Sequence, residues 1–238
     1  MNRDFGSLKN MEYPGRVIII GKTPQGHSVV MYAITGRSPS SQARNLIADE
    51  SKKLIYVRPT DEDILKTGNP DLLVYPAITF GNGIAVSNGK HTEDITNNLD
   101  QTAHPVDVLL KALNHWEYEP DDPNFTPRIS GCVSLSAALN IIKRAEDGSA
   151  MRSFFEFSLI PGSGKMIATY TGANENPLPS FSGEPQNISI PWPTAEDSVT
   201  ALYENLGPEG NAPDFRVVAA SVVMDPEGLV SFKIKNRI

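Results

Sequence analysis

Apolar positions along this chain come mostly in short β-branched runs broken by Gly/Pro turns. Arg16 to Ile20 and Ser28 to Ile34 flank "GKTPQGH", which predicts a hairpin. The same grammar recurs around "GNG", between Leu72 to Phe80 and Ile84 to Ser87. It recurs around "PGSG", between Phe154 to Ile160 and Lys165 to Thr171, and around "DPEG", between Val217 to Met224 and Leu229 to Ile234. Short connections of this kind join antiparallel strands.

Two segments follow the helical period instead. After Pro105, which suits a first helical turn, Val106, Leu109, Leu110, Leu113 and Trp116 recur at three- and four-residue spacing. A second helix starts near Thr194 as N-cap, carries Val199, Leu202 and Leu206 as its stripe, and stops at Gly207-Pro208. Residues 137 to 147 fit either period and lean to strand. "GANENPLPSFSGEP" (172 to 185) reads as a polar excursion or lid. Two helices and about ten strands predict packed sheets with helices outside. Neither repeat nor linker divides the pattern, so one domain over 1–238 is expected, with a loose N-terminal segment over 1–12.

Composition narrows this modestly. At 238 residues with 39% apolar content, the chain can bury a real core. Its net charge of −7 argues against nucleic acid or an anionic membrane as partner, yet leaves room for a small anion held by local arginines. The single cysteine, Cys132, rules out an intrachain disulfide and a Cys-based zinc cage. With no signal peptide and no apolar span, the expected location is the cytoplasm. Self-association into a homo-oligomer is left open.

Phosphate-loop and dinucleotide motifs are absent. His27, His91, His104 and His115 lack the spacing of a helical zinc site, so no metal and no cofactor are expected. "TGRSPSSQARN" (35 to 45) sets Arg37 and Arg44 around a run of serines, among them Ser38, and could cradle a phosphate or be a solvated loop. "HWEYEPDDPNFTPRI" (115 to 129) crowds Glu117, Glu119, Asp121 and Asp122. Neighbouring carboxylates raise one another's pKa, although a hydrated acidic loop reads the same way. "VSNGKHTEDI" (86 to 95) gathers Asn88, Lys90, His91, Thr92, Glu93 and Asp94 after a tight Asn-Gly turn.

"YPGR", "GRSPSSQAR", "VSNGKHTEDI" and "YEPDDPNFTPRI" follow one another in an order and spacing that resembles the archaeal-type IMP cyclohydrolases, over residues 13 to 135 or so. The loop after the second strand is longer here than the family's and lacks its aromatic residue. The resemblance implies an α+β fold, a four-layer αββα sandwich of antiparallel sheets like that of the N-terminal nucleophile hydrolases. It also implies closure of the purine ring of 5-formamidoimidazole-4-carboxamide ribotide (FAICAR), giving IMP and water. No autocatalytic nucleophile is expected, because Asn2 follows Met1. By resemblance Arg44, Tyr75 and Glu119 are the catalytic residues. Asn88 and His91 form a ligand wall, with Arg37, Ser38 and Arg128 as further substrate contacts. Two alternatives remain: a purine-nucleotide-binding protein without turnover, and an amide hydrolase that would need Cys132 exposed as a thiolate.

Overall fold

The computed structural model describes residues 5–61, 63 and 74–237. Within them the chain is α+β, built from two antiparallel sheets and few helices. One sheet is a sequential meander of seven strands: β3 (Arg44–Asp49), β4 (Leu54–Pro59), β5 (Tyr75–Phe80), β6 (Ile84–Ser87), β7 (Arg128–Val133), β8 (Ala137–Arg144) and β9 (Ala150–Phe157). The other has the order β11-β10-β1-β2-β12-β13, from β1 (Arg16–Lys22), β2 (Ser28–Thr35), β10 (Ser163–Ala168), β11 (Gln186–Ser189), β12 (Arg216–Met224) and β13 (Val230–Asn236). The helical pieces are a single turn α1 (Pro39–Gln42), α2 (His91–Asn98), α3 (Pro105–Leu113) and α4 (Ala195–Asn205).

Strand alternation sorts the core into layers. Ile84 and Val86, Ile129 and Val133, and Ala137, Leu139 and Ile141 join the large core with β1, β2 and β12. Their alternates Ala85, Cys132, Ala138 and Ile142 pack instead with Ile95 of α2 and Val108, Leu109, Ala112 and Leu113 of α3. The middle of the seven-stranded sheet, β6 to β8, is therefore buried on both faces, the other sheet on one side and α2 and α3 on the other. Helix α4 packs on β2, β12 and β13, where Ser198 Oγ lies 2.8 Å from Ser221 Oγ. The sheets approach closely at Gly131, where a Cβ would lie 2.6 Å from Ile20 Cδ1.

The hairpins β1–β2, β5–β6 and β12–β13 pair as their turns predict. Leu72 and Leu73, read as the start of the β5 strand, lie outside the described residues. Residues 137–144 are strand, as the lean had it. Thr194 caps α4, its hydroxyl accepting from Asp197 N at 3.1 Å.

Four expectations need correction. "PGSG" is a crossover between sheets: β9 pairs with β8, while β10 pairs with β1 and β11. Gly162 N donates to Lys22 O at 3.1 Å and draws the chain onto the six-stranded sheet. Helix α3 stops at Leu113, before Trp116, and its buried stripe is Val108, Leu109, Ala112 and Leu113, leaving Leu110 46% exposed. Among the described residues His91–Asn98 forms a full helix beyond the two expected. Finally, residues 5–12 are not loose: Phe5 and Leu8 are fully buried around a 3-10 turn at Gly6–Asn10, and Phe5 stacks on Trp192 at 4.6 Å.

Candidate active site

In a meander, alternate strands begin at the same end of the sheet. Arg44, Tyr75 and Arg128 are the first residues of β3, β5 and β7, so one end of the seven-stranded sheet collects all three. The period of two then aims them. Ile20 meets Gly131 across the sheets, so Ile18 and Arg16 share its inward face. Tyr32 pairs with Ile18 and lies on that face too. Arg44 shares a face with buried Leu46, and Tyr75 with Ala77. At this end the apolar row between the sheets therefore turns polar, with Tyr32 Oη and Tyr75 Oη 2.9 Å apart across the layer.

Above these residues opens a cleft of about 330 Å³, lined by Tyr13, Arg16, Arg37, Ser38, Ser41 and Arg44 on one side. Glu119, Asp121, Asn124, Thr126, Tyr170 and Leu178 complete it on the other. The two deep arginines define its chemistry. Arg16 Nε and Arg44 Nε and Nη1 are buried with no hydrogen-bond partner. Each buried N–H left unpaired costs on the order of 1–3 kcal/mol, more on a charged group. Burial and neighbouring Arg16 hold the Arg44 guanidinium below its ordinary value. For Arg16 burial acts in the same direction, but Tyr75, Tyr32, Tyr13 and Glu119 outweigh it and the net shift is upward.

The carboxylates face them. Glu119 is anchored through its backbone N–H to Thr126 O (2.9 Å), and its Oε1 lies 3.5 Å from Arg128 Nη1. Burial raises its pKa above the ordinary carboxylate value; Arg16, Arg128 and Arg44 oppose that, and Asp121 reinforces it. Asp121 accepts from the Thr126 backbone N–H (2.6 Å) and from the Thr126 hydroxyl. With its hydrogen committed to Asp121, the Thr126 hydroxyl accepts from Tyr170 Oη at 2.7 Å. That leaves the Tyr170 oxygen free to accept from a ligand in the cleft.

At the rim, Ser38 caps α1 in a reciprocal capping box with Ser41. Arg37 donates to Asn174 Oδ1 (3.2 Å) and Glu175 O (2.9 Å), tying the 172–185 loop to the cleft edge. Leu178 N from the same loop donates to Asn124 Oδ1 at 3.0 Å.

The residues singled out in the sequence divide into two groups. Arg37, Ser38, Arg44 and Glu119 line the cleft, and Arg128 adjoins it through Glu119. Tyr75, Asn88 and His91 are not among the lining residues. Tyr75 lies beneath, bonded to Tyr32. Asn88 extends the β6–β7 ladder: its side chain donates to Pro127 O (2.8 Å) and accepts from Ile129 N (2.9 Å). His91 is fully buried, with Nε2 3.4 Å from Ile129 O and Nδ1 unpartnered. Its ring lies against Trp116 at 5.5 Å, and Arg128 covers the same indole at 4.8 Å. Gly89 leaves room for that guanidinium, since a Cβ there would lie 2.9 Å from Arg128 Nη1. The "NGKH" cluster thus backs the Arg128–Glu119 pair.

Sequence reasoning missed Arg16, Tyr13, Asn124, Thr126 and Tyr170 as cleft residues. Arg16 had a usable signal, standing two positions before Ile18 in an inward row. Cys132, needed exposed for the hydrolase alternative, is instead fully buried against α3 with its Sγ 3.5 Å from Pro105 O. Burial pushes its thiol up to about 12, which removes the thiolate that reading requires. Among the described residues no three His, Cys, Asp or Glu side chains are grouped to hold a metal, and no helix is long and apolar enough to cross a membrane.

Unpaired buried arginines facing a protonatable carboxylate define a site for a small anionic or strongly polar ligand. Comparison with known proteins gives the family: the IMP cyclohydrolase-like protein model matches residues 13–227, and the chain belongs to that family. An IMP cyclohydrolase of Methanothrix thermoacetophila is 36% identical over 170 residues, covering 70% of this chain and 78% of the relative. One from Halobacterium salinarum is 34% identical over 191 residues, 80% of this chain and 84% of the relative. A third, from Haloquadratum walsbyi, is 34% identical over 62% of this chain and 69% of its own length.

Proposed function

We propose that this protein is an IMP cyclohydrolase, closing the purine ring of FAICAR to IMP with loss of water. The observation that carries the reading is the cleft of the family-matched region, where Arg16 and Arg44 present unpartnered N–H groups opposite a buried Glu119. The reaction joins two arms of one molecule: the carboxamide nitrogen attacks the formyl carbon. Holding the arms in contact can supply on the order of 7 kcal/mol or more. What remains is a proton acceptor for the amide nitrogen, donors for the formyl oxygen, and an anchor for the phosphate.

Glu119 is the proton-transfer group, since burial brings its pKa toward neutrality. Arg44 holds an anionic or ring oxygen of the substrate, and Arg37 and Ser38 at the rim take the phosphate. Tyr75, through Tyr32, supports the floor, and Asn88, His91 and Arg128 hold Glu119 in register from behind. Helices outside two facing antiparallel sheets fit the αββα sandwich of the N-terminal nucleophile hydrolases, with the chain as one domain. The substrate is a small nucleotide, for which the cytoplasm is the fitting location.

Incubation of the purified protein with FAICAR, following IMP formation, tests the reading. Tight IMP binding without turnover would instead support the purine-nucleotide-binding alternative.

A further inference from the structure

We infer that Arg16 is a catalytic residue of this ring closure, its guanidinium donating hydrogen bonds to the formyl oxygen as that oxygen becomes an alkoxide. The inference rests on the function proposed above and gives a role to Arg16, the last residue of the "YPGR" motif.

Three observations carry it. First, Arg16 continues the inward row of Ile18 and Ile20, so its side chain enters the cleft from the intersheet layer, where the donor is least able to stray. Second, its Nε is buried and unpartnered although the residue as a whole is half-buried, so an unused donor stands at the cleft. A buried donor held ready for charge that arises only during reaction is the arrangement that lowers a barrier most, because no reorganisation is needed when the charge forms. Third, Glu119 lines the same cleft as Arg16, and the Arg16 charge opposes the rise that burial imposes on the Glu119 pKa. The group that moves the proton and the group that receives the developing charge are therefore neighbours. The phosphate has a better place at the rim, where Arg37, Ser38 and Ser41 meet solvent. A dianion loses less hydration there than at the floor.

The step balances without a co-reactant. The carboxamide nitrogen forms a bond to the formyl carbon, and the carbonyl electron pair moves onto oxygen, where Arg16 stabilises it. Glu119 takes one proton from the attacking nitrogen and returns it to that oxygen. A second proton comes from the formamide nitrogen as the carbon–nitrogen double bond forms. The carbon–oxygen bond breaks and water leaves. Arg16 gives up no proton.

The test is steady-state turnover of FAICAR by Arg16→Lys and Arg16→Gln, with titration of IMP and of inosine into each protein. The expected result is a kcat about a hundredfold or more lower in Arg16→Gln, the scale of a lost oxyanion donor. Arg16→Lys should recover part of it. KM and the IMP Kd should stay within a few-fold, and bound IMP shows that each variant is folded. A kcat within a few-fold of wild type overturns the inference. So does a loss of IMP affinity that spares inosine, which would make Arg16 the phosphate anchor, and so does loss of IMP binding in both variants. If wild type itself forms no IMP, the function reading falls and takes this inference with it. Active wild type with an unimpaired Arg16→Gln overturns the inference alone.

Discussion

Acidification should destabilise this fold through His91, by an amount that follows from where the ring sits. His91 is fully buried between the β6–β7 ladder and Trp116, and its Nε2 reaches a carbonyl at 3.4 Å. Burial, with the nearby Arg128 charge, pushes its pKa down to about 3 from 6.5, and the Ile129 carbonyl only partly opposes this. A depressed folded pKa means that the unfolded chain binds the extra proton. The stability is thus complete above about pH 6.5 and is lost as pH falls toward 3. At about pH 5 the unfolded histidine lies roughly 1.5 pH units into protonation, worth about 2 kcal/mol at ~1.4 kcal/mol per unit. That is a substantial part of a stability of about 5–15 kcal/mol. With a urea slope of about 2 kcal/mol per molar, the midpoint should fall by about 1 M between neutral pH and about pH 5. Other groups titrate over this range, so the quantity to measure is the difference between wild type and His91→Gln. The variant should be less stable near neutrality and show a flatter pH dependence. An unchanged difference between the two pH values would refute the reasoning.

Four shorter expectations concern the cleft and its frame. Arg44→Ala should mainly raise KM for FAICAR, by about 2 kcal/mol in binding, and Arg44→Lys should recover only part of it, readable in steady-state kinetics. Glu119→Gln should lower kcat by roughly 10²- to 10⁴-fold. The wild-type pH–rate profile should show an acid limb above the ordinary carboxylate range, as the raised pKa requires, and the variant should lack it. Cys132→Ser should leave turnover nearly intact, because the buried thiol faces α3 and not the cleft; a hundredfold loss would revive covalent chemistry. Gly131→Ala should destabilise by about 1–3 kcal/mol in thermal melts, since its Cβ would meet Ile20 Cδ1 at 2.6 Å and Ala138 O at 2.7 Å.

Much of this protein could be read from local pattern. The hairpins at "GKTPQGH", "GNG" and "DPEG" and the cap at Thr194 are local because a turn or a cap is settled by dihedral preference within a few residues. Four of the motifs that mark the family also lay open in the sequence, with Arg44 and Glu119 among their residues. Pairing partners did not. "PGSG" has hairpin chemistry, yet β10 joins β1, since that pairing completes the six-stranded sheet over the shared core. The His91–Asn98 helix has one buried aliphatic residue, Ile95, too little for a periodic signal; its packing on β5, β6 and α3 supplies what propensity does not. The same holds at the site. Arg16 differs from any strand-end arginine only because the second sheet closes over its row and turns solvent into a cleft. Asn88 and His91 stay out of the cleft because Asn88 commits its amide to Pro127 and Ile129 beside the β6–β7 ladder, and His91, at the start of α2, packs on Trp116. Local sequence sets turns and periods. Which face is covered, and by what, depends on burial between segments far apart in the chain, and only the tertiary structure decides that.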